Sequence, residues 1–138
     1  MRRASRIVEG TRATAVSDDG TTVLGDIPDP ESPDPDLGET AAIWTAVGGW
    51  QSLGYLPNAL ECPSRSNGYE LSADGSVAVG LSWDGCRGRG YRWTEATGMQ
   101  ELQFLTPVGS GGDRASVLSA DGNLIGGFAQ GTQTRTPA

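Results

Sequence analysis

The sequence predicts an all-β protein of antiparallel four-stranded blades in tandem, a partial β-propeller of about two and a half blades. Three observations predict it. The phrase Ser17-Asp18-Asp19-Gly20-Thr21-Thr22-Val23-Leu24-Gly25 returns as Ser72-Ala73-Asp74-Gly75-Ser76-Val77-Ala78-Val79-Gly80 and as Ser119-Ala120-Asp121-Gly122-Asn123-Leu124-Ile125-Gly126-Gly127. A second phrase alternates with it, Trp44-Thr45-Ala46-Val47-Gly48-Gly49-Trp50-Gln51-Ser52-Leu53 and then Trp93-Thr94-Glu95-Ala96-Thr97-Gly98-Met99-Gln100-Glu101-Leu102. Finally, the 138 residues include 21 glycines and 8 prolines, with 20% charged residues and no long apolar helical pattern. Self-similarity at this period marks propellers, solenoids and arrays, and the turn-rich composition selects strands over helices.

Each element follows from the phrases. Ser-x-Asp-Gly suits a tight hairpin: Ser opens a type I turn and Gly takes the left-handed conformation that closes it. Asp19, Gly20, Asp74, Gly75, Asp121 and Gly122 are thereby structural turn residues. A short strand a precedes each turn (Thr14 to Ser17, Tyr69 to Ser72, Ser116 to Ser119). Strand b follows it as an apolar run (Val23-Leu24, Val77-Ala78-Val79, Leu124-Ile125) with the character of a strand buried on both faces. Ala41 to Thr45 and Gly90 to Thr94 make strand c, and Trp50 to Leu53 and Met99 to Leu102 make strand d. Trp44 and Trp93 read as core anchors between blades. The chain is one repeat domain, 1–138, with blade 1 at 13–57, blade 2 at 68–106 and the a–b half of blade 3 at 115–128. Segments 1–12 and 129–138 are expected to be flexible tails. Closed propellers use about four to eight blades, so the chain reads as a fragment of a larger ring, an oligomer or an open array.

The formal charge of −7 opposes sequence-independent nucleic-acid binding, which needs a basic footprint, and no stretch has the length and apolarity of a membrane-spanning helix. Met1-Arg2-Arg3-Ala4-Ser5-Arg6 has the basic start of a signal peptide without the apolar run that must follow, so no signal peptide is visible. The absence of histidine removes the commonest general base and imidazole metal ligation. No spacing of carboxylates selects an acid–base pair, so the expectation is a protein that is not an enzyme, uses no cofactor and has no catalytic residues.

The copies differ at one end of the blades. Asp19 to Trp44 spans 25 positions and Asp74 to Trp93 spans 19, so the first b–c loop is longer by 6. Up-and-down strand order places b–c loops and d–a connectors together, opposite the a–b and c–d turns. That end carries Pro28-Asp29-Pro30-Glu31-Ser32-Pro33-Asp34-Pro35-Asp36, an acidic loop of polyproline character. Asp29, Glu31, Asp34 and Asp36 are either Ca²⁺ ligands or solvated carboxylates held apart by the prolines. The same end carries Ser82-Trp83-Asp84-Gly85-Cys86-Arg87-Gly88-Arg89, read as a polar loop. There Trp83, Asp84, Arg87 and Arg89 are candidate ligand-binding residues for a glycan or protein partner; in the alternative reading Trp83 covers the blade edge. Cys62 and Cys86 fall at this end as well, as a disulfide or as unpaired thiols, and a disulfide would indicate an oxidising compartment.

Ser72-Ala73-Asp74-Gly75-Ser76-Val77-Ala78-Val79-Gly80 followed by Tyr91-Arg92-Trp93-Thr94-x-x-x-Gly98-Met99 and spaced leucines resembles the HAF extracellular repeat of bacterial surface and secreted proteins, over Ala13 to Phe128. The His-Ala-Phe tripeptide of that family is absent; its positions read Thr40-Ala41-Ala42 and Arg89-Gly90-Tyr91. The resemblance implies an extracytoplasmic or secreted, propeller-like module for binding or scaffolding. Alternatives are a lectin-like or carbohydrate-active subunit that works only with additional blades, and a purely structural repeat that self-associates through open blade edges.

Overall fold

The structure is a computed structural model and describes residues 12–32, 38–57, 63–84, 87–103, 112–130 and 135–137. Among them are eleven strands in three antiparallel sheets. Blade 1 contains β1 (Arg12–Val16), β2 (Thr22–Pro28), β3 (Glu39–Thr45) and β4 (Gly49–Ser52) in spatial order β1-β2-β3-β4. Blade 2 repeats the arrangement with β5 (Ser66–Leu71), β6 (Val77–Asp84), β7 (Arg87–Thr94) and β8 (Gly98–Glu101). Blade 3 consists of β9 (Asp113–Leu118), β10 (Ile125–Gln130) and β11 (Arg135–Pro137).

Three departures from the sequence reading have physical causes. Strand a starts earlier in every blade than the hydrophobic pattern suggests, because a bulge interrupts its register with strand b. The bulge falls between Ala13 and Ala15, between Gly68 and Glu70, and opposite Gly126 and Gly127. Thr14, Tyr69 and Ser116 are the extra residues, at equivalent places. Across each bulge stands Gly25, Gly80 or Gly127, where a Cβ would run into the carbonyl oxygen of Arg12, Asn67 or Arg114. That close approach explains why the repeated phrase ends in glycine.

The second departure is Ser82 to Arg89, which is mostly strand: Ser82 pairs with Arg89, Trp83 with Gly88 and Asp84 with Arg87. Blade 3 supplies the third. β10 includes Ala129 and Gln130, and Arg135–Pro137 pairs with it in the place of strand c, within the stretch expected to be a tail. β11 pairs through its backbone and lacks a Trp-Thr phrase, so nothing in its side chains announced it.

The core lies between blades. Leu24, Ala41, Ile43, Leu53 and Leu56 of blade 1 pack with Leu71, Ala78 and Tyr91 of blade 2, flanked by Ala15, Trp93 and Met99. Two polar staples of the same design close these seams. The Ala41 N–H donates to Ser66 Oγ at 2.9 Å across the first, and the equivalent Gly90 N–H donates to Asp113 Oδ1 at 2.6 Å across the second. Each satisfies a strand c amide that would otherwise be left without a partner near the core.

Candidate functional site

The a–b turns form one continuous rim. In all three, Ser Oγ donates to Asp Oδ1 (Ser17 to Asp19 at 2.8 Å, Ser72 to Asp74 at 2.8 Å, Ser119 to Asp121 at 2.6 Å). The same carboxylate oxygen accepts the N–H two residues on, from Thr21, Ser76 or Asn123, at 3.0 Å each. Gly20, Gly75 and Gly122 close the turns at φ of 70°, 77° and 76°. Hydrogen bonds to the charged form hold all three carboxyls below the usual range, led by the hydroxyls of Thr21 for Asp19, Ser76 for Asp74 and Ser119 for Asp121; Asp74 is lowered to about 2. These aspartates are turn braces, each with its Oδ1 already engaged. Successive turns are joined backbone to backbone, with the Asp18 N–H donating to Ala73 O at 2.8 Å and the Ala73 N–H to Ala120 O at 2.9 Å.

Behind this rim, between blades 1 and 2, opens a cleft of about 760 Å³. Ile43, Leu53 and Trp93 supply its apolar lining, while Gln51 and Glu95 supply polar groups. Trp93 is half-buried and packs against the interblade core, so its ring is held by the scaffold. A rigid indole in a cleft also lined by Gln51 and Glu95 can stack on an apolar face and leave an amide and a carboxylate to hydrogen-bond the groups around it. The cleft was missed in the sequence because its residues belong to the repeated phrases, which read as scaffold. The signal was present in the Arg92-Trp93-Thr94-Glu95 stretch, whose counterpart in blade 1, Ile43-Trp44-Thr45-Ala46, carries no charge.

The candidates at the opposite end are dispersed. Arg89 is buried and paired with Glu101 on the neighbouring strand, where blade 1 has a Ser52–Thr40 hydroxyl pair at 2.8 Å. It therefore serves as a cross-strand tie. Trp83 is half-buried, opposite Gly88, with its backbone N–H donating to Arg65 O at 2.9 Å. Asp84 ends β6 and Arg87 begins β7. In the acidic loop, Asp29 is buried and its carboxylate accepts the Glu31 N–H at 2.9 Å, which turns it inward to brace its own backbone. Asp34, Asp36, Cys62 and Cys86 lie outside the described residues, and no metal-holding cluster of acidic, Cys or His side chains occurs among those described. Burial, reinforced by the charges of Asp29 and Glu31, raises the nearby Tyr55 hydroxyl.

One polar residue at the seam lies outside the residues that the repeated phrases single out. Asp26 is 3% exposed, accepts the Gly68 N–H of blade 2 at 2.8 Å through Oδ1, and binds the Arg12 guanidinium through Oδ2, with Nε at 2.8 Å. Burial raises its pKa despite these partners. Its counterparts in blades 2 and 3 are Leu81 and Phe128, so a carboxylate in an apolar register was the available clue.

Two four-stranded antiparallel sheets and a three-stranded one, stacked in chain order with a cleft between the first two, define an all-β repeat protein. No protein-family model matches the chain, nor does any curated protein. Among solved structures it is similar to the crystal structure of TolB from Acinetobacter baumannii, with a TM-score of 0.62 and 16% identity over 95% of this chain. The chain spans 30% of that TolB chain, and the likeness is one of fold.

Proposed function

We propose that this chain is a non-enzymatic binding or scaffolding module of a propeller-like protein working outside the cytoplasm, and that it engages ligand through the cleft between blades 1 and 2. The observation that carries the reading is the 760 Å³ cleft, whose lining holds the fixed Trp93 ring together with Gln51 and Glu95. Such a lining suits a short glycan or an extended peptide, each of which offers an apolar face edged with hydrogen-bonding groups. The lack of histidine and of any selected carboxylate pair supports binding without chemistry, and the HAF-like phrases support the extracytoplasmic setting.

The test is a thermal-shift screen of oligosaccharides and short peptides, repeated on Gln51→Ala and Trp83→Ala. A ligand whose stabilisation disappears in Gln51→Ala and persists in Trp83→Ala is the expected result. The reverse pattern would move the site to the opposite end of the blades, and no stabilising ligand from either class would sink the reading.

A further inference from the structure

Each seam within the chain is built by the same operation, and that operation has two unused ends. Val16, Val23, Trp44 and Trp50 stand directly opposite one another across the four strands of blade 1. Leu71, Ala78, Trp93 and Met99 form the same row in blade 2, where the row packs against blade 1. The blade 1 row has no blade beneath it among the described residues: Val16 is 59% exposed where its counterpart Leu71 is 6% exposed. At the far end, Val117 and Leu124 of blade 3 are 57% and 74% exposed. The counterpart of Leu124 in blade 2, Val77, is 6% exposed because blade 3 covers it.

The turn glycines show the same vacancy from the other side. A Cβ on Gly75 would meet Thr22 of the preceding blade at 2.8 Å, and one on Gly122 would meet Val77 at 2.9 Å. Thr22, Val77 and Leu124 are equivalent, as are Gly20, Gly75 and Gly122. Gly20 meets nothing within 4 Å, and Leu124 is the residue left over. The backbone rim is open likewise: Asp18 and Ala73 donate their amides to the next blade, which leaves the Ala120 N–H and the Asp18 carbonyl as its two ends among the described residues.

We propose that a second copy of this chain covers both ends: blade 3 of each copy docks on blade 1 of the other, with Leu124 over the partner's Gly20 and the Ala120 N–H donating to the partner's Asp18 carbonyl. The occupant is specified by continuity, since the junction repeats the two seams already present. Three blades from each of two copies make a ring within the range of about four to eight blades that propellers adopt. A head-to-tail pair of this kind closes with two identical junctions and leaves neither face open. The driving surface is the blade face, with Trp44 and Trp50 at its centre, and the outer strand edges have no part in it. The inference is independent of the ligand cleft.

Light scattering of the full chain at moderate ionic strength, with Cys62 and Cys86 kept reduced, tests it. The wild type is expected at twice the 14.3 kDa chain mass. Leu124→Glu and Val16→Glu, at exposed positions on opposite faces, are each expected to halve that mass with unchanged far-ultraviolet circular dichroism. Mixing the two variants should restore a two-chain species, because the first keeps an intact blade 1 face and the second an intact blade 3 face. Val117→Glu repeats the test of the blade 3 face. A monomeric wild type would overturn the proposal and leave these faces to further blades or to an unlike partner. A two-chain mass that survives Leu124→Glu would mean pairing through like faces, and a heavier assembly would mean the ring does not close; either result also overturns it.

Discussion

Replacing Tyr91 by alanine is expected to destabilise the fold by about 3–5 kcal/mol, the range for truncating a large buried aromatic ring. Tyr91 is fully buried in the core cluster between blades 1 and 2. Its ring lies over Gly80, where a Cβ would come within 2.8 Å of the phenolic oxygen. The hydroxyl donates to Asn67 O at 3.1 Å, so the side chain fills the seam and ties strands c and a of blade 2. Burial, assisted by the Asp26 charge, raises the hydroxyl's pKa and keeps it a donor throughout the neutral range. Tyr91→Phe keeps the ring and removes only the hydrogen bond, for a loss of about 1 kcal/mol. Equilibrium urea unfolding of the three proteins measures both numbers. An alanine variant within 1 kcal/mol of the wild type, roughly what one hydrogen bond is worth, would show that Tyr91 does not organise the seam.

Leu24→Ala should lose about 2–5 kcal/mol by opening a cavity at the same seam from the blade 1 side. Leu24 is fully buried and projects onto Gly68 of blade 2, where a Cβ would lie 2.6 Å from Leu24 Cδ1. The two residues are a matched large–small pair across blades. Gly68→Ala alone should therefore cost stability by overpacking, about 1–3 kcal/mol. In the double variant the new methyl occupies part of the space Leu24 vacated, so the combined loss should be smaller than the two losses added together. Strict additivity in the same unfolding experiment would argue that the residues do not meet, since only contacting sites couple strongly.

How much of this was legible in the sequence depended on whether the repeat itself encoded it. The a–b turns were readable as turns closed by a left-handed glycine, because Ser-x-Asp-Gly specifies both locally, while the bonds that the Asp carboxylate accepts came from the structure. Gly25, Gly80 and Gly127 were visible as repeated residues, but their role required the bulge opposite them, which comes from pairing with another strand. Strand β11 was invisible, since three residues held by backbone bonds to β10 leave no side-chain pattern.

The site was less legible than the fold. The divergent end of the blades carries the unusual residues of the sequence, yet there Arg89 is a tie within one blade and Asp29 braces its own turn. The cleft formed instead at the seam, from side chains of different blades that no spacing along the chain brings together. Asp26 and Arg92 were detectable only as charged departures from their counterparts, Leu81 and Ile43, and such departures become informative once the register of the blades is known.

The blades stack turn upon turn through a shared backbone rim, and hydrogen exchange of three equivalent amides reads that rim blade by blade. In the Leu124→Glu variant, the Asp18 and Ala73 amides should exchange slowly because each donates to the next blade, while the Ala120 amide, which has no blade to reach, should exchange at the rate of an exposed loop. Exchange of Asp18 and Ala73 as fast as Ala120 would contradict the stacked arrangement.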